Sequence, residues 1–225
     1  GEPDAEPPIP DGTLLSQQVP DDSIELDGEL DVAWQGATFL EYQIEDAAQL
    51  IAGQSYAPDA SLRFASLYDS EFVYFYFEVT DDLLVDDSEN LYNDDSIELY
   101  IDGTNNCDGP YGNDDHWLVI GAAGTYQSLG PESVEIAGSI QTTDTGYVIE
   151  IALSRDDIGS GIFAGEVGFN VGLNDDDGIG GSGVDAYGLW FVPTTDACVD
   201  CCGEDSPDAY AWCDTTRMGR MRVVP

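Results

Sequence analysis

The 225-residue chain carries 46 Asp plus Glu against five Arg and no Lys, a formal charge of -41 at pH 7, with 42% hydrophobic and 11% aromatic residues. Phosphate recognition needs clustered Lys and Arg, so nucleic acid is excluded and anionic lipid is a poor partner. No apolar run approaches the roughly 20 residues of a membrane-spanning helix, which excludes insertion, and the length suits one well-packed domain.

Residues 1–22 place Pro3, Pro7, Pro8, Pro10 and Pro20 among acids. Such a segment has too little apolar surface to offset its own ordering entropy, so it reads as a linker, or as an arm that packs on a neighbouring copy. Gly1 stands where a Met would start a chain, so any leader is expected to have been removed or to precede this sequence. From residue 23 to 225 the pattern is one domain of short strands with turn signals. Ile24, Leu26 and the Asp27-Gly28 turn open it, and Trp34 is expected in the core. Strands follow at 60–68 and 71–80, the second, EFVYFYFEVT, apolar on both faces and therefore central. Further strands are expected at 96–102, 116–122, 133–141, 146–153, 166–175, 187–192 and 217–223. Helix is scarce: SRDDIG from Ser154 reads as one turn with Ser154 as N-cap, and 45–52 as another short piece. This is an all-β sandwich with long acidic loops. Arg217, Arg220 and Arg222 in the last strand are expected to pair with carboxylates.

Cys107, Cys198, Cys201, Cys202 and Cys213 are grouped as in secreted, disulfide-bonded proteins, a structural zinc site being the alternative. An odd count leaves one thiol for a partner chain, for a free state, or for a residue outside this sequence. Self-association through that Cys or through residues 1–22 is therefore an expectation, as is a secreted or cell-surface location.

The chain is organised around residues 89–103, ENLYNDDSIELYIDG. An acidic loop runs into a strand whose Ile97, Leu99 and Ile101 face one way while Glu98, Tyr100 and Asp102 face the other, so one side is core and the other a working surface. Hard-cation ligands, Asp94 and Asp95, lie beside the aromatic Tyr92 and the outward Glu98, a grouping that suits binding more than catalysis. Asp81, Asp82, Asp86, Asp87, Asp94 and Asp95 supply the six to eight oxygens calcium takes if the loop folds back on itself, and Asp27 with Glu29 is a second candidate pair. The Gly-rich 175–183, DDDGIGGSG, lacks EF-hand spacing and is a weak calcium signal.

Read in order, IELDGELDVAW, LYNDDSIELYIDG, DTGYVIEIAL, GFNVGLNDD and a late Trp before a terminal strand resemble family 9 carbohydrate-binding modules over residues 23–225. The resemblance implies a jelly-roll-like antiparallel β-sandwich, structural calcium as cofactor, and carbohydrate as partner, held at a sugar end between two aromatic side chains. Carried onto this sequence, the clamp falls on Tyr92 and Trp212 and the hydroxyl-binding carboxylate on Glu98. The family's further polar contacts, an Arg, a Gln and an Asn, fall near Val119, Gly172 and Ala209, which cannot do the same work. The function implied is a non-catalytic carbohydrate-binding module of a secreted or surface protein. The alternative is a structural subunit of an extracellular assembly linked through the N-terminal arm. A haem domain of the related DOMON group would have only His116, Met218 and Met221 as axial ligands. A glycoside hydrolase would need a pair of carboxylates that nothing in the sequence singles out.

Overall fold

The computed structural model describes residues 12–52, 57–107, 110–178, 183–192, 215 and 218–225. Period-two alternation in the sequence becomes thirteen strands: β1 (Thr13–Gln18), β2 (Leu40–Gln43), β3 (Gln49–Ala52), β4 (Ser61–Tyr68), β5 (Phe72–Thr80), β6 (Ser96–Asp102), β7 (Asp115–Gly121), β8 (Tyr126–Ser128), β9 (Ala137–Thr143), β10 (Gly146–Ser154), β11 (Glu166–Asp175), β12 (Ala186–Leu189) and β13 (Gly219–Val224). They form one curled sheet in the order β8-β7-β6-β11-β13-β1-β4-β5-β10-β9, with β2 on β4 and β12 bridging β11 to β3. The two wings face each other, so the architecture is the expected β-sandwich.

The core lies between the wings. Val73, Phe75, Phe77 and Val79 of β5 and Tyr147, Ile149, Ile151 and Leu153 of β10 meet Ile97, Leu99 and Ile101 of β6 and Val167, Phe169, Val171 and Leu173 of β11. Phe75 and Phe169 stack across the gap with centroids 5.8 Å apart and planes 5° from parallel. Each such buried side chain contributes roughly 1.5–3 kcal/mol, so this layer dominates the stability. β5 lies between β4 and β10 and is central, as its sequence predicts. Trp34 is buried, but in a second cluster on the outside of that wing with Tyr74 and Tyr76.

Three expectations are corrected. Residues 13–18, within the expected arm over 1–22, instead form β1, the strand that joins the wings: it runs parallel to both β13 and β4, whereas the other pairings among the described residues are antiparallel. Leu14 is fully buried and Ser16 Oγ lies 2.9 Å from Ser66 Oγ, an alternation too short, and too poor in β-branched residues, to stand out among prolines. Residues 23–30 form no strand; Asp27-Gly28 is a turn, with Gly28 at φ 85°. Residues 45–52 are not a helix but a 3-10 turn, Ile44–Asp46, followed by β3. The helical turn after Ser154 is present as α1 (Arg155–Ile158), and α2 (Gly161–Ala164) follows it. Arg220 and Arg222 both pair with Glu166, at 3.0 and 2.9 Å, as expected of the last strand, while Arg217 lies outside the described residues. Among the described residues no helix is long and apolar enough to cross a membrane.

Candidate functional site

The outer face of the β7-β6-β11-β12-β3 wing carries the site. Strand register sets its rows: Glu98 of β6 stands between Val119 of β7 and Gly172 of β11, and Asn174, Tyr187 and Ile51 align on β11, β12 and β3. A 3-10 turn, Leu91–Asn93, held by buried Leu91, brings Tyr92 and Asn93 to the rim. Tyr92, Asn93, Glu98, Asn174, Tyr187 and Ile51, with Trp117 and Val184, line a cavity of about 330 Å³, within the range of small-ligand sites.

Glu98 is only 3% exposed. The alternation argument assigned it to the correct face, but that face is covered rather than open, because Tyr100, Tyr187, Leu189 and Met218 form an apolar cluster over the sheet with Trp117 packed against it. Trp117 Nε1 donates to Glu98 Oε2 at 2.7 Å, and the Tyr100 hydroxyl donates to the same oxygen. Asn174 Nδ2 donates to Oε1 at 2.8 Å and to Ser96 Oγ at 3.0 Å. Both amide hydrogens of Asn174 are thus committed, and its carbonyl oxygen is the acceptor left on that side chain. Burial pushes the Glu98 pKa up, and the hydrogen bonds from Tyr100, Asn174 and Trp117 oppose the shift.

The walls are aromatic. Tyr92 and Trp117, both half-buried, stand with ring centroids 6.4 Å apart and planes tilted by 32°. Trp117 also stacks on Tyr100 at 6.2 Å, and the Tyr100 and Tyr187 hydroxyls are 3.1 Å apart. Gly172 makes room for this arrangement, since a Cβ there would stand 2.6 Å from the Tyr187 ring. Val119 and Gly172, the positions the resemblance left without polar side chains, therefore flank Glu98 directly, and the Tyr187 ring takes the space above one of them. Sequence reasoning missed Trp117, Tyr187 and Asn174. Trp117 pairs with Tyr100 in the β6–β7 register, which alternation on the same face implies once the hairpin is known. Trp212, Ala209 and the four cysteines from 198 to 213 lie outside the described residues. Cys107 is described, between β6 and β7, and its N–H donates to Asp102 Oδ2 at 2.9 Å.

A second feature sits beside the cavity. The acidic segment between β5 and β6 meets the end of β11, gathering Asp59, Asp81 and Asp175, then Asp59, Asp82 and Asp177, then Asp87, Asp94 and Asp176, each trio offering oxygens within 4.8 Å of one another. Asp95 lies between them, accepting from the Val85 N–H at 2.5 Å and the Asp176 N–H at 3.0 Å. Asp81 Oδ2, Asp175 Oδ1 and Asp176 Oδ2 are buried with no hydrogen-bond partner. Burial, reinforced by neighbouring carboxylates, pushes the Asp95 pKa to about 9 and that of Asp175 to about 7. Asp177 rises to about 6 for the same reasons, and Asp81 and Asp176 also rise. Of the sequence candidates, Asp81, Asp82, Asp87 and Asp94 join these trios and Asp95 supports them. Asp86 is exposed and outside every trio, and Asp27 with Glu29 forms only an exposed turn, the Glu29 N–H donating to Asp27 Oδ1 at 2.8 Å. A further trio, Asp102, Asp114 and Asp115, lies at the other end of β6.

An aromatic-walled cavity over a buried carboxylate, set on the outer face of a β-sandwich, defines a small-ligand binding module. The chain belongs to the carbohydrate family 9 binding domain-like family, whose pattern matches residues 26–224. It is similar to endo-1,4-beta-xylanase A of Thermotoga neapolitana, 24% identical over 202 residues, a match covering 88% of this chain and 17% of that protein. It is also similar to the exoglucanase XynX of Acetivibrio thermocellus, 29% identical over 125 residues, 56% of this chain and 10% of that protein. The chain therefore spans less than a fifth of the length of these curated relatives. In fold it matches a family 9 carbohydrate binding module from Caldicellulosiruptor kristjanssonii in complex with cellotriose, with a TM-score of 0.69 at 17% identity over 94% of this chain and 93% of that one. A family 9 carbohydrate binding module from the same organism in complex with glucose gives a TM-score of 0.70, again at 17% identity, over 94% and 95% of the two chains.

Proposed function

We propose that the protein is a non-catalytic carbohydrate-binding module of a secreted or cell-surface protein, holding one sugar residue in the cavity above Glu98. The observation that carries this reading is the joining of a buried carboxylate, held by Tyr100, Trp117 and Asn174, to a wall of half-buried rings, Tyr92 and Trp117, within about 330 Å³. A pyranose presents hydroxyls around its edge and C–H groups on its faces; the first suit Glu98 Oε1 and the Asn174 carbonyl, the second the rings. Glu98 is the single carboxylate among the described residues lining the cavity, whereas glycoside hydrolysis uses two flanking the scissile bond. The family membership, the relatives' xylanase names and the fold neighbours' cellotriose and glucose complexes support a glucan or xylan ligand and an extracellular setting. The clustered cysteines fit that setting.

Calcium is part of the same proposal. Three orphaned buried carboxylate oxygens fit hard cations with oxygen ligands, which the trios of Asp59, Asp81 and Asp175, of Asp59, Asp82 and Asp177, and of Asp87, Asp94 and Asp176 would hold. When bound, calcium neutralises the junction of the 81–95 segment with β11 and so stiffens the turn that carries Tyr92.

Titration calorimetry with glucose, cello-oligosaccharides and xylo-oligosaccharides, with and without calcium, tests the reading. Trp117→Ala and Tyr92→Ala are expected to weaken binding about tenfold or more while leaving the circular dichroism unchanged. A chain that is folded and calcium-loaded yet binds none of these sugars overturns it.

A further inference from the structure

We propose that the cavity prefers a sugar bearing a primary amine over the corresponding neutral sugar. This rests on the sugar-binding reading and names the ligand class within it.

The charge balance of the site is one-sided. Among the described lining residues Glu98 is the only acidic or basic side chain. Its hydrogen-bond donors, Tyr100, Trp117 and Asn174, are all neutral, so none of them brings a countercharge to it. No described arginine reaches it: Arg63 pairs with Glu78, Arg220 and Arg222 with Glu166, and Arg155 donates to the Asp69 carbonyl. A buried carboxylate that no described cation reaches can take one supplied by a ligand.

The walls favour the same ligand. The rings of Tyr92, Trp117 and Tyr187 present π faces and edges around one carboxylate, the combination that recognises ammonium groups by cation–π attraction together with a charge-assisted hydrogen bond. The formal charge of -41 raises the local concentration of cationic ligands and disfavours uronic acids and sulfated sugars at the same site. An amino group in place of one hydroxyl keeps the pyranose shape that the volume admits and places its charge against Glu98.

The test is calorimetric competition on the full chain at neutral pH, in calcium, with glucose, glucosamine and N-acetylglucosamine. Glucosamine is expected to bind about tenfold more tightly than glucose, to displace it one for one, and to lose the advantage on N-acetylation. The advantage should survive a rise in salt, because a buried pair is screened far less than a surface one. In Glu98→Gln the preference should vanish; if that variant does not fold, the acetylation and salt arms decide. Equal affinities for glucose and glucosamine overturn the proposal and leave sugar binding standing. So does glucosamine binding at many weak sites without displacing glucose, or an advantage that disappears in salt, since both assign the attraction to the acidic coat. Failure of glucose and glucosamine alike overturns the sugar-binding reading and the amine preference with it.

Discussion

Gly172 shapes the cavity by having no side chain. Gly172→Ala would set a Cβ 2.6 Å from the Tyr187 ring and 3.0 Å from its hydroxyl oxygen, so the ring must move and its contact with Tyr100 is lost. Overpacking of this kind costs roughly 1–3 kcal/mol, and with the Tyr187 wall displaced we expect sugar affinity to fall about tenfold, measured by urea unfolding and calorimetry. On the opposite wing Glu150 has a structural task. It is fully buried and accepts from Trp34 Nε1 at 2.9 Å, the Gly28 N–H at 2.9 Å and the Asp27 N–H at 3.2 Å, which pins the 27–36 segment over β10. Glu150→Ala leaves these donors unsatisfied and should cost roughly 3 kcal/mol in the same unfolding assay, with sugar affinity unchanged. At this scale the sequence was half legible. Alternation placed Glu98 on the correct face, but which rings cover that face depends on β7 and β12, and local periodicity carries no information about them.

The junction of the 81–95 segment with the end of β11 governs the response to pH. The folded pKa values of Asp95, Asp175 and Asp177, at about 9, 7 and 6, lie above those of exposed carboxylates near 4. A raised carboxylate pKa means that the folded state holds the proton more tightly than the unfolded one. Its stabilisation is complete below pH 4 and is lost as pH rises through the folded values. In a chelator these groups should therefore lower the melting temperature progressively between about pH 4 and pH 9. Calcium competes with those protons, so its stabilisation should grow over the same interval and its binding should release protons, read by calorimetry in buffers of different ionisation enthalpy. A melting temperature indifferent to calcium at pH 8 would remove the ion from the account. The sequence revealed the local half of this junction, since Asp81, Asp82, Asp87, Asp94 and Asp95 are neighbours in the chain. Asp59, just before β4, and Asp175 to Asp177, at the end of β11, come from elsewhere in the chain, and only the folded sheet brings them in. β1 escaped notice for a related reason: six residues of modest strand propensity acquire their conformation from β13 and β4 on either side.

For the whole molecule, a net charge of -41 works against compaction. With chelator present, raising NaCl from about 0.02 to about 0.5 M should raise the melting temperature by roughly 5–10 °C, followed by circular dichroism, because screening relieves the repulsion among exposed acids. Composition showed this directly, just as strand spacing showed the sandwich; the closure of the two wings through β1 was not legible, since parallel pairing of strands 200 residues apart in the chain leaves no local mark. That closure bears on how the molecule carries tension. Thr13 stands beside Arg220 and Gln17 beside Val224, so a pull on residue 13 and an opposing pull on residue 224 act at opposite ends of two strands lying side by side in the same sense. The load then falls on the β1–β13 ladder as shear, borne by its rungs together instead of one after another. A chain loaded at both of these ends would thereby resist stretching far better than its equilibrium stability alone suggests.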